Sequence, residues 1–330
     1  MTHVALRGVH SDIADSLKSD RDFAVRHHMR VLAVLAEIEA TLAGIPWLAF
    51  KGPILSELAH PLPGLRSYKD VDILVDPGDL RTTCGRLIDI GWNIIDSNET
   101  LRRPELSGEV RMASPRRILV DLHWSMVVNV TRRKRFQIPT RELLERRKNV
   151  MAGLARIWAL DLEDSIVHVC VHAALSGATR LLHLIDADQL SRQIQDWDLV
   201  VRRSYEWGAT AQTALVLGRA RRLLDTPLPS DLNAMLGLPK SLGSVLSSVD
   251  RIWPTEGLRQ DESMPRLVAR AVRGSASGTI ASAARNGAIG VLHRLRPKPA
   301  PGPRIPADRE TIDQYLTAVE DASRLADAAS

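Results

Sequence analysis

The sequence predicts an α+β fold, in which a mixed sheet with flanking helices is followed by a helical domain. In the first half, short apolar runs that suit strands alternate with stretches of helical periodicity, and glycine or proline separates them. From Leu162 onward one helical pattern follows another. We therefore divide the chain into an α/β domain with an N-terminal helix over residues 1–160, a helical domain over 161–295, and a proline-rich linker with a C-terminal helix over 296–330.

The composition is that of a soluble globular protein. Of 330 residues, 45% are hydrophobic and 25% are charged, and a chain of this length buries a sizeable core. The net charge of +5 suits an anionic ligand but does not require nucleic acid, which we do not favour as a partner. Cys84 and Cys170 lie in apolar helical patterns, and we find no secretory signal or membrane-spanning run. We expect a cytoplasmic protein with no membrane partner.

The α/β domain should begin with helices. A short helix over Ser11–Leu17 and a longer one from Arg21 are expected, and Gly44-Ile45-Pro46 ends the second. Leu48–Phe50 is the first strand, and Gly52-Pro53 turns the chain into the next helix, because proline is tolerated in a first turn.

Further strands and helices follow in order. Asp70–Val75 is a strand, and Asp76-Pro77 caps a helix that ends at Gly91. The later strands are expected at Trp92–Ile95, at Glu109–Ala113 and Arg117–Leu122 as a hairpin, and within Val150–Leu160. Helices are then expected at about 162–176, 179–195, 198–206 and 209–224, with less regular ones to about 290. A linker at Pro297–Pro303 leads to an acidic helix at Ala307–Leu325, either packed on the body or projecting.

Asp70 and Asp72 are the first candidates for chemistry. Residues i and i+2 of a strand point to one face, so the two carboxylates lie side by side. Adjacent carboxylates repel each other and need a cation nearby. One magnesium ion, or a pair as in two-metal phosphoryl transfer, would meet that need. The stretch around them therefore suggests a metal-dependent nucleotidyl-transfer site.

Four landmarks in order give the chain a family resemblance. They are Phe50-Lys51-Gly52, Arg66, Asp70-Val71-Asp72-Ile73-Leu74-Val75 and Val120-Asp121-Leu122-His123-Trp124. The sequence over about residues 25–225 resembles the uncharacterised bacterial nucleotidyltransferases of the DNA polymerase β-like superfamily. The helical half also fits that pattern at Glu163-Asp164, His172-Ala173, Arg180-Leu181, Asp186 and Asp196-Trp197.

The resemblance implies a set of site residues. Asp70, Asp72 and Asp121 would be the catalytic carboxylates, and they would hold two Mg²⁺ ions, with Mn²⁺ as the alternative metal. Asp121 would also help to deprotonate the acceptor. The nucleotide would be bound by the following residues: Lys51, Gly52, Arg66, Lys69, His123 and Arg180. The superfamily loop has Gly or Ser after its glycine, whereas here Pro53 follows Gly52 and offers neither hydroxyl nor N–H.

Plainer interpretations stay open for each feature. Asp70 and Asp72 could be surface residues at a strand end, Lys51-Gly52 an ordinary turn, and Asp121-Leu122-His123 an alternating edge strand. His168 and His172 have the spacing of two zinc ligands, but core histidines are favoured because no HExxH pattern is present. An ion pair between domains would explain Arg180 and Asp186 equally well. A basic run without aromatic residues is interpreted as a solvated helix face rather than a nucleic-acid surface: Arg266, Arg270, Arg273, Arg285, Arg294, Arg296 and Lys298.

The favoured hypothesis is an enzyme that moves a nucleoside monophosphate from an NTP to a hydroxyl and releases pyrophosphate. ATP is the first nucleotide to consider, and a small molecule is the favoured acceptor. The alternative is a non-catalytic nucleotide-binding or partner-binding module on the same fold, for which the Pro53 departure argues. RNA binding through the basic run ranks last.

Overall fold

The computed structural model describes residues 11–103, 105–153, 155–252, 264–295 and 305–328. The chain forms two compact units. The sheet unit comprises Met1–Val128, Thr140–Leu160 and Ile305–Ser330, and the helical unit comprises Asn129–Pro139 and Asp161–Arg304. The linker expected at Pro297–Pro303 lies outside the described residues, as do Arg296 and Lys298 of the basic run.

The strands of the sheet unit form one mixed sheet of seven strands within the described residues. They are β1 (Trp47–Phe50), β2 (Asp70–Val75), β3 (Asn93–Ile94), β4 (Glu109–Ala113), β5 (Leu119–His123), β6 (Lys148–Ala152) and β7 (Ala155–Ala159). Their spatial order is β3-β4-β5-β2-β1-β7-β6. The β2–β5 and β1–β7 pairs are parallel, and the other pairs are antiparallel. The predicted α+β class with a mixed sheet is confirmed.

Helices flank this sheet. They are α1 (Ser11–Thr41), α2 (Gly52–Leu58), α3 (Leu80–Asp89), α4 (Asn98–Leu101), α6 (Thr140–Glu145) and α15 (Arg309–Ala328), while α5 (Val130–Arg133) belongs to the helical unit. Asp76 caps a 3₁₀ turn at Pro77–Asp79, and its carboxylate accepts from the Gly78 N–H at 2.8 Å. The two N-terminal helices expected before Gly44 are one continuous helix, because neither glycine nor proline interrupts Ser11–Thr41.

One face of the sheet carries the core of this unit. Side chains of β2, β4 and β5 pack there with those of α1 and α3, and three residues of α15 join them: Tyr315, Leu316 and Val319. The C-terminal helix is therefore packed on the sheet unit rather than projecting. Arg81 of α3 adds an ion pair to it, with Nε 2.6 Å from Glu320.

The helical unit continues the chain after Leu160. Its helices are α7 (Leu162–Leu175), α8 (Leu181–Ser191), α9 (Trp197–Glu206), α10 (Thr210–Leu224), α11 (Leu232–Met235), α12 (Lys240–Ile252), α13 (Met264–Ala271) and α14 (Ala276–Leu295). These agree with the expected helices up to Leu224 within a few residues. Both cysteines are buried free thiols. Within the described residues no helix combines the length and hydropathy needed to cross a membrane.

The β4–β5 connection differs from the expected short turn. The turn runs from Ser114 to Ile118, closed by the Ser114 N–H donating to the Ile118 carbonyl at 2.9 Å. Arg117 adopts a positive φ of 59° within it. Strand β5 therefore starts at Leu119 and extends to His123, which places that histidine within the sheet.

Candidate functional site

The second face of the sheet is polar where β2, β4 and β5 lie side by side. Alternate residues of each strand point into the core, among them Val71, Val110 and Val120. The intervening residues must then point to the opposite face. They are Asp70 and Asp72 of β2, Asp121 and His123 of β5, and Glu109 and Arg111 of β4. Three short strands thus concentrate six polar side chains on one surface.

Strand register brings specific pairs together. Asp72 lies opposite Asp121 in the parallel β2–β5 pair, and Glu109 lies opposite His123 in the antiparallel β4–β5 pair. Asp72, Asp121 and His123 each offer one ligand atom, and these atoms all lie within 4.8 Å of one another. Among the described residues this is the group of three with the spacing of metal ligands. Asp70 lies on the same face but outside that group.

His123 lies between two carboxylates. Its Nε2 is 3.1 Å from Asp72 Oδ1 and 3.4 Å from Glu109 Oε2. The side chain is 1% exposed, and the Phe50 ring packs edge-on against it at 5.1 Å between centroids. Its Nδ1 has no hydrogen-bond partner in the described part of the chain. Packing and the two acids therefore fix the orientation of this ring.

Lys51 supplies a cation at the same place. Its Nζ lies 2.6 Å from Asp72 Oδ1 and 4.9 Å from the centre of the Phe50 ring. Lys51 stands between β1 and α2 with φ 57° and ψ −135°, a conformation that a side-chain-bearing residue rarely adopts. Such strain costs about 1–3 kcal/mol and persists only where the surroundings enforce it, typically at functional positions. The strained backbone directs the ammonium group onto Asp72.

Gly52 follows in the turn, and its neighbours explain why no side chain fits. A Cβ atom at this position would lie 3.1 Å from the Asp70 carbonyl oxygen and 3.2 Å from the Tyr68 ring. Pro53 occupies the first turn of α2, where its missing N–H is not needed. The close approach of α2 to the start of β2 therefore requires glycine.

The carboxylates of the polar face differ in their pKa values. Burial, the Glu109 charge and the Asp70 and Asp72 charges together raise the pKa of Asp121 to about 7, although His123 opposes the shift. Burial and the Asp72 charge also raise the pKa of Asp70. Burial opposes ionisation of Asp72, but Lys51 and His123 outweigh it and hold its pKa below the ordinary value. The negative charge of Asp72 is therefore balanced by Lys51 and His123, whereas Asp121 faces mainly other carboxylates.

Arg111 could have neutralised Asp121, because it lies opposite that residue in the register. Its guanidinium instead binds Asp96, with Nη2 2.6 Å from Oδ1 and Nε donating at 2.7 Å. Asp121 forms no ion pair within the described residues. The surplus negative charge and the oxygen donors fit a divalent cation, and the nitrogen of His123 would also suit Mn²⁺.

The remaining predicted binding residues are more dispersed. Arg66 is buried, and its charge acts on Tyr68, which contacts Gly52. Lys69 is exposed beside Asp70. Arg180 is exposed at the N-cap of α8 in the helical unit.

Two residues near the polar face were not among the candidates. Glu109 contacts His123. The predicted hairpin could have indicated this residue, because it pairs the strand of Glu109 with the strand of Asp121. His27 of α1 is close enough to Asp70 for the two charges to influence each other, and its ring packs edge-on to Tyr68 at 5.2 Å. No sequence motif marked His27, because its approach depends on how α1 packs.

The histidine pair of α7 has a different setting. His168 and His172 stack at 6.1 Å between ring centroids, and His172 packs against His183 at 5.1 Å. These three rings do not form a group with metal-ligand spacing among the described residues. Packing within the helical unit accounts for them.

Comparison with known proteins adds one match. Residues 3–225 match the model of a family described as "Uncharacterised nucleotidyltransferase". The match spans every strand of the sheet described above and the helices through α10. No curated protein matches the sequence.

Proposed function

The chain belongs to the uncharacterised nucleotidyltransferase family, and from this premise we propose that it is a Mg²⁺-dependent nucleotidyltransferase. It moves a nucleoside monophosphate from an NTP to a hydroxyl group and releases pyrophosphate. The observation that carries the proposal is the pairing of Asp72 with Asp121 at one register position, with His123 in the same group. We also propose that the fold is of the polymerase β-like type and that the protein acts in the cytoplasm.

Asp72 and Asp121 would hold the metal, with Asp70 beside them on the same strand face as a third carboxylate. Magnesium prefers oxygen ligands, and two ions bound by shared carboxylates are the arrangement of many phosphoryl-transfer sites. The metal would neutralise charge that develops on the transferred phosphoryl group.

Asp121 is the proposed proton acceptor. Its carboxylate lies on the polar face opposite Asp72, where it can take a proton from an acceptor hydroxyl. In the proposed reaction the acceptor oxygen forms a bond to the α-phosphorus, and the bond to the pyrophosphate leaving group breaks. The hydroxyl proton passes to the Asp121 carboxylate.

Lys51 is the proposed contact to the nucleotide phosphates. Its ammonium group lies on the polar face and is held there by a strained backbone. Gly52, Arg66, Lys69, His123 and Arg180 remain proposed nucleotide-binding residues. ATP is the first nucleotide to test, and a small hydroxyl-bearing molecule is the proposed acceptor.

The alternative is a module that binds nucleotide or a protein partner without turnover. The contact of Lys51 Nζ with Asp72 Oδ1, at 2.6 Å, favours it, because a resident ammonium can replace a metal as the counter-ion. The lack of a hydroxyl at Pro53 argues in the same direction.

Nucleotide titration separates the two functions. Calorimetry with each NTP, in Mg²⁺ and in chelator, should show binding that depends on the metal. Asp72→Asn and Asp121→Asn should abolish that dependence, whereas Asp89→Asn, an exposed acid of α3, should leave it unchanged. Binding of equal strength in chelator would favour the module. No NTP binding in either condition would contradict the transferase and also a module that binds nucleotide.

A further inference from the structure

Three arginines of the helical unit lie near one another, since Arg135 and Arg273 share the Val272 carbonyl and the charge of Arg132 acts on Arg135. Arg132 lies in the last turn of α5, Arg135 follows three residues later, and Arg273 lies just beyond α13. The segment that carries the first two, Asn129–Pro139, packs with the helical unit although it precedes β6 in the chain. All members of the cluster thus belong to one compact unit.

The backbone carbonyl of Val272 joins two of these arginines. It accepts from Arg135 Nη2, from Arg273 Nη1 at 3.0 Å and from the buried Gln212 Nε2 at 3.2 Å. A carbonyl oxygen has two lone pairs, so three donors exceed its ordinary capacity. A guanidinium has five N–H donors, and most of those in this cluster remain available to another acceptor.

Among the residues that the structure describes, the cluster has no counter-ion. None of the three arginines forms an ion pair with a described residue, and the Arg132 side chain donates no hydrogen bond within that part of the chain. Arg219 of the same unit shows the usual solution, with Nη2 2.9 Å from Asp250. Burial and then the charges of Arg273 and Arg132 lower the pKa of Arg135 to about 10. Two neighbouring cations thus act on Arg135, and an anion bound beside it would offset their repulsion.

We propose that Arg132, Arg135 and Arg273 form a binding site for a phosphate-bearing ligand. Phosphate fits better than a single carboxylate, because it carries up to two negative charges and several oxygens that match guanidinium forks. The carbonyl of Val272 and the ring of Phe136, 4.7 Å below the Arg135 guanidinium, hold the buried side of the site. Arg132 is exposed, so its guanidinium is accessible to a ligand from solvent.

This site changes the interpretation of the basic run. Arg273 was expected on a solvated helix face, but it is only partly exposed and donates to the carbonyls of Ala271 and Val272. The remaining arginine partners come from the segment after β5, which the run does not include. The site uses no metal ligand and does not depend on the proposed transferase activity.

The test is a titration of the 330-residue protein with inorganic pyrophosphate in the presence of chelator. Under this condition a metal-dependent site does not contribute to the binding. We expect saturable binding that weakens about tenfold in Arg132→Gln and in Arg273→Gln, the loss of one charge-assisted contact. The matched control is Arg202→Gln, an exposed arginine of α9, which should leave the affinity within about twofold. Asp72→Asn should also leave it unchanged, which keeps this site distinct from the strand site.

The source of the phosphate follows from a second titration with short single-stranded RNA. RNA that binds no more tightly than pyrophosphate indicates a small phosphorylated ligand, and tighter binding with steep salt dependence indicates a nucleic-acid backbone. Either result supports the site if the Arg132→Gln substitution weakens the binding of that ligand. Absent pyrophosphate binding, an equal loss in Arg202→Gln, or equal affinity for polyglutamate would overturn the proposal. Because Arg132 is exposed, misfolding of that variant would not explain a loss.

Discussion

Lys51 and Asp72 form an ion pair of 2.6 Å on the face of the sheet where a metal would bind. The lysine is held by a strained backbone, and the aspartate is buried between it and His123. Lys51 and His123 therefore compete with any divalent cation for the Oδ1 atom of Asp72. If the site holds a metal as proposed, the Lys51 side chain would lower its metal affinity.

Replacing Lys51 with glutamine should have opposite effects on metal and nucleotide. Removing the competing ammonium group should tighten Mn²⁺ binding roughly tenfold, whereas the affinity for metal–nucleotide should fall by a similar factor. Calorimetric titration of Mn²⁺ alone and of nucleotide with Mn²⁺ gives both values. Lys69→Gln removes an exposed lysine nearby and should not tighten the metal. Weaker Mn²⁺ binding in Lys51→Gln would show that the lysine supports the site rather than competing for it.

The metal-free protein should lose stability as pH rises towards neutrality. The pKa of Asp121 is about 7 in the folded state and ordinary in the unfolded chain, so the folded state holds an extra proton between about pH 4 and pH 7. Its contribution to the free energy of unfolding is present at acid pH and is lost through that window. In chelator, Tm should fall more steeply from about pH 5 to about pH 8 in the natural protein than in Asp121→Asn. Parallel pH profiles would contradict the raised pKa.

Gly52→Ala should destabilise the protein although alanine favours helices. The new methyl group would lie 3.1 Å from the Asp70 carbonyl oxygen and 3.2 Å from Tyr68, which forces a backbone shift that costs about 1–3 kcal/mol. Gly85→Ala, in α3 with nothing within 4 Å, should instead stabilise by about 0.5–1 kcal/mol. Urea denaturation measures both changes. A neutral Gly52→Ala would mean that Tyr68 can move away at no cost.

Tyr315 should be important for the stability of the sheet unit. It is buried in the core, its hydroxyl donates to the Ser107 carbonyl at 2.7 Å, and it accepts from Trp124 Nε1 at 2.9 Å. Tyr315→Ala should lower the free energy of unfolding by about 3–5 kcal/mol and Tyr315→Phe by about 1 kcal/mol. Arg324→Ala, on an exposed pair of the same helix, should change it by less than about 1 kcal/mol.

The sequence was sufficient for the strand that carries Asp70 and Asp72, because alternation along a strand fixes which residues share a face. It also indicated Asp121, but only through an ordered resemblance, since nothing local pairs β2 with β5. The contact of Glu109 with His123 depends on the register of the β4–β5 hairpin, in which the two residues lie opposite each other. The turn of this hairpin is longer than expected, so the sequence did not predict that register.

Features that arise from three-dimensional packing lay beyond sequence patterns. The positive φ of Lys51 and the proximity of His27 to Asp70 depend on how β1 and α1 meet the sheet. The arginine cluster combines a segment near residue 132 with one near residue 273, a separation that no periodicity connects. Charge counting identified the second segment as basic but could not assign its partner.

The packing of α15 has a consequence for biosynthesis. The sheet unit is interrupted in the chain by the helical unit, and its last core residues, Tyr315, Leu316 and Val319, leave the ribosome only after the helical unit has been made. The helical unit can therefore fold co-translationally, while the strands with the acidic residues wait for the final segment. We therefore expect the sheet unit, and with it the acidic face, to reach its full stability only after Tyr315, Leu316 and Val319 have been synthesised.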